Sequence, residues 1–102
     1  SLQLVDLHIY VVPPELWSEH RNSAFREVIN DTISAGFIRV QPETNINGLR
    51  EEIENQLGGE HMPNDYVFLR SVGRCMTRIR PKQEYQLKVR NFTPPQVRVS
   101  LL

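Results

Sequence analysis

The stretch NINGLREEIENQLGG, residues 45–59, constrains this chain more than any other. Ile46, Leu49, Ile53 and Leu57 recur at intervals of three and four, which gathers them into one stripe of an α-helix. A strand would put Ile46 and Leu49 on opposite faces. Asn45 stands where a side-chain oxygen caps a first turn, and Gly58-Gly59 stands just past the last apolar position. Glycine enters the left-handed conformation that closes a helix without a Cβ penalty, so the pair reads as a helix stop. Ile46, Leu49, Ile53, Leu57, Gly58 and Gly59 are therefore structural residues. A helix with one apolar face must lie on a second layer, and the segments around it are strand-like.

Upstream, LQLVDLHIYVVPP alternates, with Val5, Leu7, Ile9 and Val11 on one face of a strand and Asp6, His8 and Tyr10 on the other. Pro13-Pro14 ends it, because proline gives no N–H to a ladder. In SAFREVINDTISAGF, Phe25, Val28, Ile29, Thr32 and Ile33 have helical spacing, with Asn22 or Ser23 as N-cap and Gly36 as the stop. FIRVQP is a short second strand, with Ile38 and Val40 inward and Arg39 outward.

Downstream, DYVFLRSVGRCMTRI reads as a hairpin of residues 66–71 and 75–79 turning near Gly73. QEYQLKVRNFTPP suits either a strand, through Tyr85, Leu87 and Val89, or an irregular turn. QVRVSLL is a last strand, with Val97, Val99 and Leu101 inward. The predicted fold class is α+β, a mixed four-to-five-stranded sheet covered by one main helix. It forms a single domain over residues 1–102, with a helical insert at 13–35 between the first two strands. A chain of 102 residues beginning with Ser1 is expected as one domain of a longer protein.

Net charge is zero, but its distribution is not even. Residues 1–65 hold four arginines against eleven acidic residues, a net −7. Residues 66–102 hold eight basic residues against one acid, Glu84, a net +7. The single cysteine, Cys75, excludes an internal disulfide and points to a reducing, intracellular setting. It lacks a general base, which makes it a packed thiol rather than a nucleophile. His8, His20 and His61 fall on separate elements without metal-ligand spacing, so neither metal nor cofactor is expected. No apolar run approaches the ~20 residues that cross a bilayer. Trp17 is read as the anchor of the insert.

The order strand, strand, helix, strand, strand, crossover, strand resembles the β-grasp order of ubiquitin. PETNINGLREEI is similar to ubiquitin's turn and helix start, and EYQL is similar to the stretch before its last strand. More specifically, LVDLHIYVVPPELW, EVINDTISAGFIRVQP, LREEIENQLG, YVFLRSVGR and KQEYQLKVRNFTPP resemble, in order, the N-terminal region of the spermatogenesis-associated protein 1 family. That resemblance covers roughly residues 4–95 and implies male germ cells and the cilium, flagellum or acrosome as a setting. It brings no catalytic residue with it.

The β-grasp order places the first strand beside the second and the last, and the last beside the third. Alternation then aims Tyr10, Arg39, Phe68, Arg70 and Arg98, with His8, at the sheet face away from the helix, and Arg78 extends the charge. These six, Tyr10, Arg39, Phe68, Arg70, Arg78 and Arg98, are the candidate partner-binding residues; Arg80, Lys88 and Arg90 lie near them. Arg70 or a neighbour stands where ubiquitin carries its recognition isoleucine, which argues against imitation of ubiquitin. The expected function is a non-catalytic protein-interaction module docking an acidic protein partner, ciliary or acrosomal by the resemblance. Alternatives are head-to-tail self-association of the DIX or PB1 type and small-GTPase binding by strand addition near Arg39. Nucleic acid is not expected, because the aromatic residues form no stacking platform.

Overall fold

The computed structural model describes residues 3–16, 32–58, 62, 65–72, 75–92 and 94–101. Five strands form one sheet: β1 (Val5–Val11), β2 (Ile33–Val40), β3 (Val67–Val72), β4 (Cys75–Arg78) and β5 (Gln96–Ser100). Their spatial order is β2-β1-β5-β3-β4. β1 runs parallel to β5, and the other pairings are antiparallel. Helix α1 (Ile46–Leu57) lies across one face, and a short helix α2 (Pro81–Gln86) joins β4 to β5. The arrangement is α+β, with the helix layer that the apolar periodicity predicts and the strand neighbours expected from the β-grasp resemblance.

The core between α1 and the sheet follows the sequence pattern. Leu7 and Ile9 of β1, Ile38 and Val40 of β2, Val97 and Val99 of β5 and Ile46, Leu49 and Ile53 of α1 are all buried. Asn45 caps α1, its Oδ1 accepting from the Gly48 N–H at 2.7 Å. Gly58 ends it at φ +61°, its N–H donating to the Ile53 carbonyl at 3.3 Å. Gly59 lies outside the described residues.

Several expectations are corrected. Ile33 and Gly36 belong to β2 rather than to a helix and its stop, because Val11 and Ile9 pair with them across the sheet. Ladder pairing outweighs helical spacing here. The second strand thus begins at Ile33, four residues earlier than read. The register shifts between Ile9 and Tyr10, leaving Ala35 as the extra residue of a bulge. Gly36 sits in that bulge at φ +125°, and a Cβ there would lie 3.0 Å from Leu57 Cδ2. The helix expected over residues 23–31, with Phe25, Val28 and Ile29, lies outside the described residues, as do Trp17, His20, His61, Gly73 and the Cys75 side chain.

The segment left as strand or irregular turn is neither throughout. Pro81 opens α2 at the first helical position, where its missing N–H has no intrahelical role. The Arg80 N–H donates to Gln83 Oε1 at 2.9 Å across that turn. A 3-10 turn follows at Val89–Asn91. Backbone bonds from Ile46 to Leu87, from Val89 to Thr44 and from Arg90 to Pro42 stitch this segment to the start of α1.

Candidate partner-binding surfaces

Phe68 is the clearest displacement from expectation. It is fully buried, facing α1, because Phe68 pairs with Val99 and Val99 belongs to the core. A one-residue change of phase flips every side chain of a strand. Arg70 therefore shares the helix-side face, while Val67 and Leu69 turn to the other face. There they form a second buried cluster with Val12 and Met76. The face away from α1 is thus apolar and buried along β3, not a continuous basic surface.

Nearer β2 that face carries an aromatic row. The His8 ring stacks on Tyr10 at 3.9 Å and meets Phe37 at 4.1 Å, and His8 Nε2 lies 2.6 Å from Ser34 Oγ. Arg98, half-buried in the next strand over, holds its guanidinium 5.8 Å from the Tyr10 ring centre. Burial pushes the Arg98 guanidinium below its ordinary value, and Tyr10 opposes that shift. Phe37 stays 62% exposed. Arg39 is not an unpaired docking charge: its Nε donates to Asp6 Oδ1 at 3.0 Å, with both side chains open to water. A pair so exposed contributes ~1 kcal/mol at most.

Desolvation pushes the His8 imidazole below its ordinary value of about 6.5. The unfolded chain therefore takes up the proton first, so stability held above about pH 6.5 declines as pH falls toward the folded-state midpoint. Proton NMR should give His8 a midpoint under 6.5, and Phe37→Ala, which uncovers the ring, should raise it. A midpoint unmoved by Phe37→Ala would show that the aromatic neighbour does not cause the shift.

The edge of the sheet at β2 is occupied by a side chain. The Arg39 N–H donates to Gln56 Oε1 at 2.8 Å, and Gln56 Nε2 donates to the Arg39 carbonyl at 2.9 Å. Glu52 holds the same amide from the preceding turn of α1, at 2.8 Å. The backbone groups that an added strand would use at Arg39 are therefore already paired.

Positive charge collects elsewhere. Arg70 and Thr77 from one face of the β3–β4 hairpin meet Arg78 from the other face, beside Arg80, Lys82, Gln83 and Gln86, in an open groove of ≈ 1100 Å³. β4 is an edge strand, which lets a groove along it collect side chains of both faces. No acidic residue among those described lines it. Among the described residues, none of its four cations forms an ion pair. Lys88 and Arg90, by contrast, reach Glu43 at 2.9 and 3.4 Å. Lys88 is the main reason the Glu43 carboxyl sits below its usual value.

The sole acid of the basic half faces inward. Glu84 is 4% exposed and accepts from Arg50 Nε at 3.2 Å and Nη2 at 3.0 Å, while Arg50 Nη1 donates to the Tyr66 carbonyl at 2.9 Å. The guanidinium also lies over the Tyr66 and Phe68 rings, at 5.1 and 4.7 Å. Sequence reasoning missed this pair, although its signal was present: one carboxylate among eight cations, in the segment that forms α2.

Among the described residues no three metal-ligating side chains come together, and no helix is long and apolar enough to cross a membrane. What remains is an α+β domain, its mixed five-stranded sheet backed by a helix in a manner compatible with a β-grasp fold, carrying a groove lined by four cations. Curated relatives named spermatogenesis-associated protein 1, from Rattus norvegicus, Mus musculus and Homo sapiens, are 40%, 40% and 38% identical to the chain over 95 residues. Those residues are 93% of this chain, which spans about a fifth of the relatives' length, 21%. This similarity supports relation to that family. No family model and no solved structure matches the chain.

Proposed function

We propose that the chain is a non-catalytic, ubiquitin-like protein-interaction module that docks an acidic segment of a partner protein. The observation that carries this reading is the groove of Arg70, Arg78, Arg80 and Lys82, concave and, among the described residues, without a lining carboxylate. Side chains of one sign in a depression repel one another, and an acidic chain laid among them removes that repulsion. The relatives' name supports a sperm-related role, and the cilium, flagellum or acrosome of male germ cells is the setting we propose.

Charge reversal tests the reading. Arg70→Glu with Arg78→Glu should abolish capture of the wild-type domain's acidic partners from testis lysate, while circular dichroism stays unchanged. Arg39→Glu, at a residue already paired with Asp6, should leave capture intact. Binding should weaken steeply as salt rises. Retained capture by the double variant would refute the groove.

A second reading, head-to-tail pairing of copies, is favoured by Glu51 and Glu54, which are exposed on α1 and do not line the basic groove. Sedimentation at low salt separates the two: a monomer at every concentration removes self-association. Strand addition of a small GTPase at Arg39 is opposed by Gln56.

A further inference from the structure

The groove presents donors almost exclusively, and this selects among acidic partners. Three of its four cations are arginines, whose planar forks bind tetrahedral and planar oxyanions with two parallel hydrogen bonds. Thr77 adds a hydroxyl. Gln83 has its oxygen committed to the Arg80 N–H, which leaves its amide nitrogen to donate. Gln86 completes the lining. A carboxylate has two oxygens in one plane and saturates with few donors. A phosphoryl group has three oxygens in different directions and nearly two negative charges, so it uses many donors at one point.

Resting on the acidic-partner reading, the geometry points to a phosphorylated segment as the groove's ligand: a phosphoserine or phosphothreonine held by Arg70, Arg78 and Arg80, with Thr77 and Gln83 as neutral donors. Two alternatives fit less well. Among the described residues no aromatic one lines the groove, so it shows no platform on which unpaired nucleic-acid bases would stack. The described lining also lacks a large apolar side chain to insert beside a phosphoinositide headgroup, and a concave strip suits a polypeptide better than a flat membrane.

The test uses the isotope-labelled 102-residue chain and three Gly-Ala-rich peptides of one sequence, carrying two phosphoserines, two glutamates or two serines. Co-sedimentation with phosphatidylcholine vesicles doped with a phosphoinositide is a parallel arm. The diphosphopeptide should bind about tenfold more tightly than the glutamate peptide at equal salt, shifting amide resonances of residues 77–86. Arg70→Gln with Arg78→Gln should remove that preference without loss of spectral dispersion. Equal affinity for phosphoserine and glutamate peptides would overturn the phosphate inference and leave the acidic-partner reading standing. Binding to the vesicles but to no peptide would overturn it in favour of a headgroup. An absence of binding in every arm, together with lysate capture that survives charge reversal, would overturn both.

Discussion

Arg50→Ala is expected to lower the unfolding free energy by roughly 3 kcal/mol or more in a urea titration, because it leaves a buried carboxylate without its counter-charge. Glu84 would lose both hydrogen bonds from the guanidinium, and the Tyr66 carbonyl would lose a third. A small domain holds only about 5–15 kcal/mol in all. Replacing both partners, Arg50→Met with Glu84→Leu, should recover most of the loss, since no charge then remains unsolvated. A single-variant cost below about 1 kcal/mol would show that the pair is not what fixes α2. The point reaches beyond stability. A six-residue helix does not hold itself in water, and α2 supplies Lys82, Gln83 and Gln86 to the groove. Arg50 therefore acts on the binding surface from beneath it, without touching a ligand.

The second large effect is expected at Gly36. An alanine there meets two penalties: φ of +125° is costly for any residue with a Cβ, and the new methyl would sit 3.0 Å from Leu57 Cδ2. Together they should cost about 2 kcal/mol, which for a domain of this size lowers the melting temperature by roughly 10 °C. Adding Leu57→Ala separates the two penalties. It removes the contact and leaves the backbone strain, so Gly36→Ala should cost less in the Leu57→Ala background than alone. An unchanged cost would assign the whole effect to the backbone.

These sites mark where the sequence could be read and where it could not. The α1 stripe, its cap and its glycine stop were legible because helix periodicity and end chemistry are local. The inward faces of β1, β2 and β5 were legible for the same reason, through alternation, except at Leu101, expected inward but lying past the end of β5 and 43% exposed. Gly36 looked like a helix stop because the residues before it have helical spacing; only pairing with Ile9 makes it a strand residue. The phase of β3 was not legible either. VFLRSV is apolar on both faces, and both faces are buried, so alternation carries no information about which one meets α1. That ambiguity misplaced Phe68 and Arg70, and with them the binding surface. Charge segregation along the chain did survive folding, but as a groove beside β4 rather than as a sheet face.

The amide of Gln56 has a consequence for the molecule's company. β2 is eight residues long, begins with six uncharged residues and exposes Ile33 and Phe37, the profile of a strand that recruits its own kind into growing ribbons. A single side chain, reaching across from the helix, occupies the backbone positions at Arg39 where such a ribbon would zip, and the bulge at Ala35 bends the strand a few residues earlier. Between them they interrupt this border of the sheet at two points, so a strand approaching it meets no continuous row of free backbone groups.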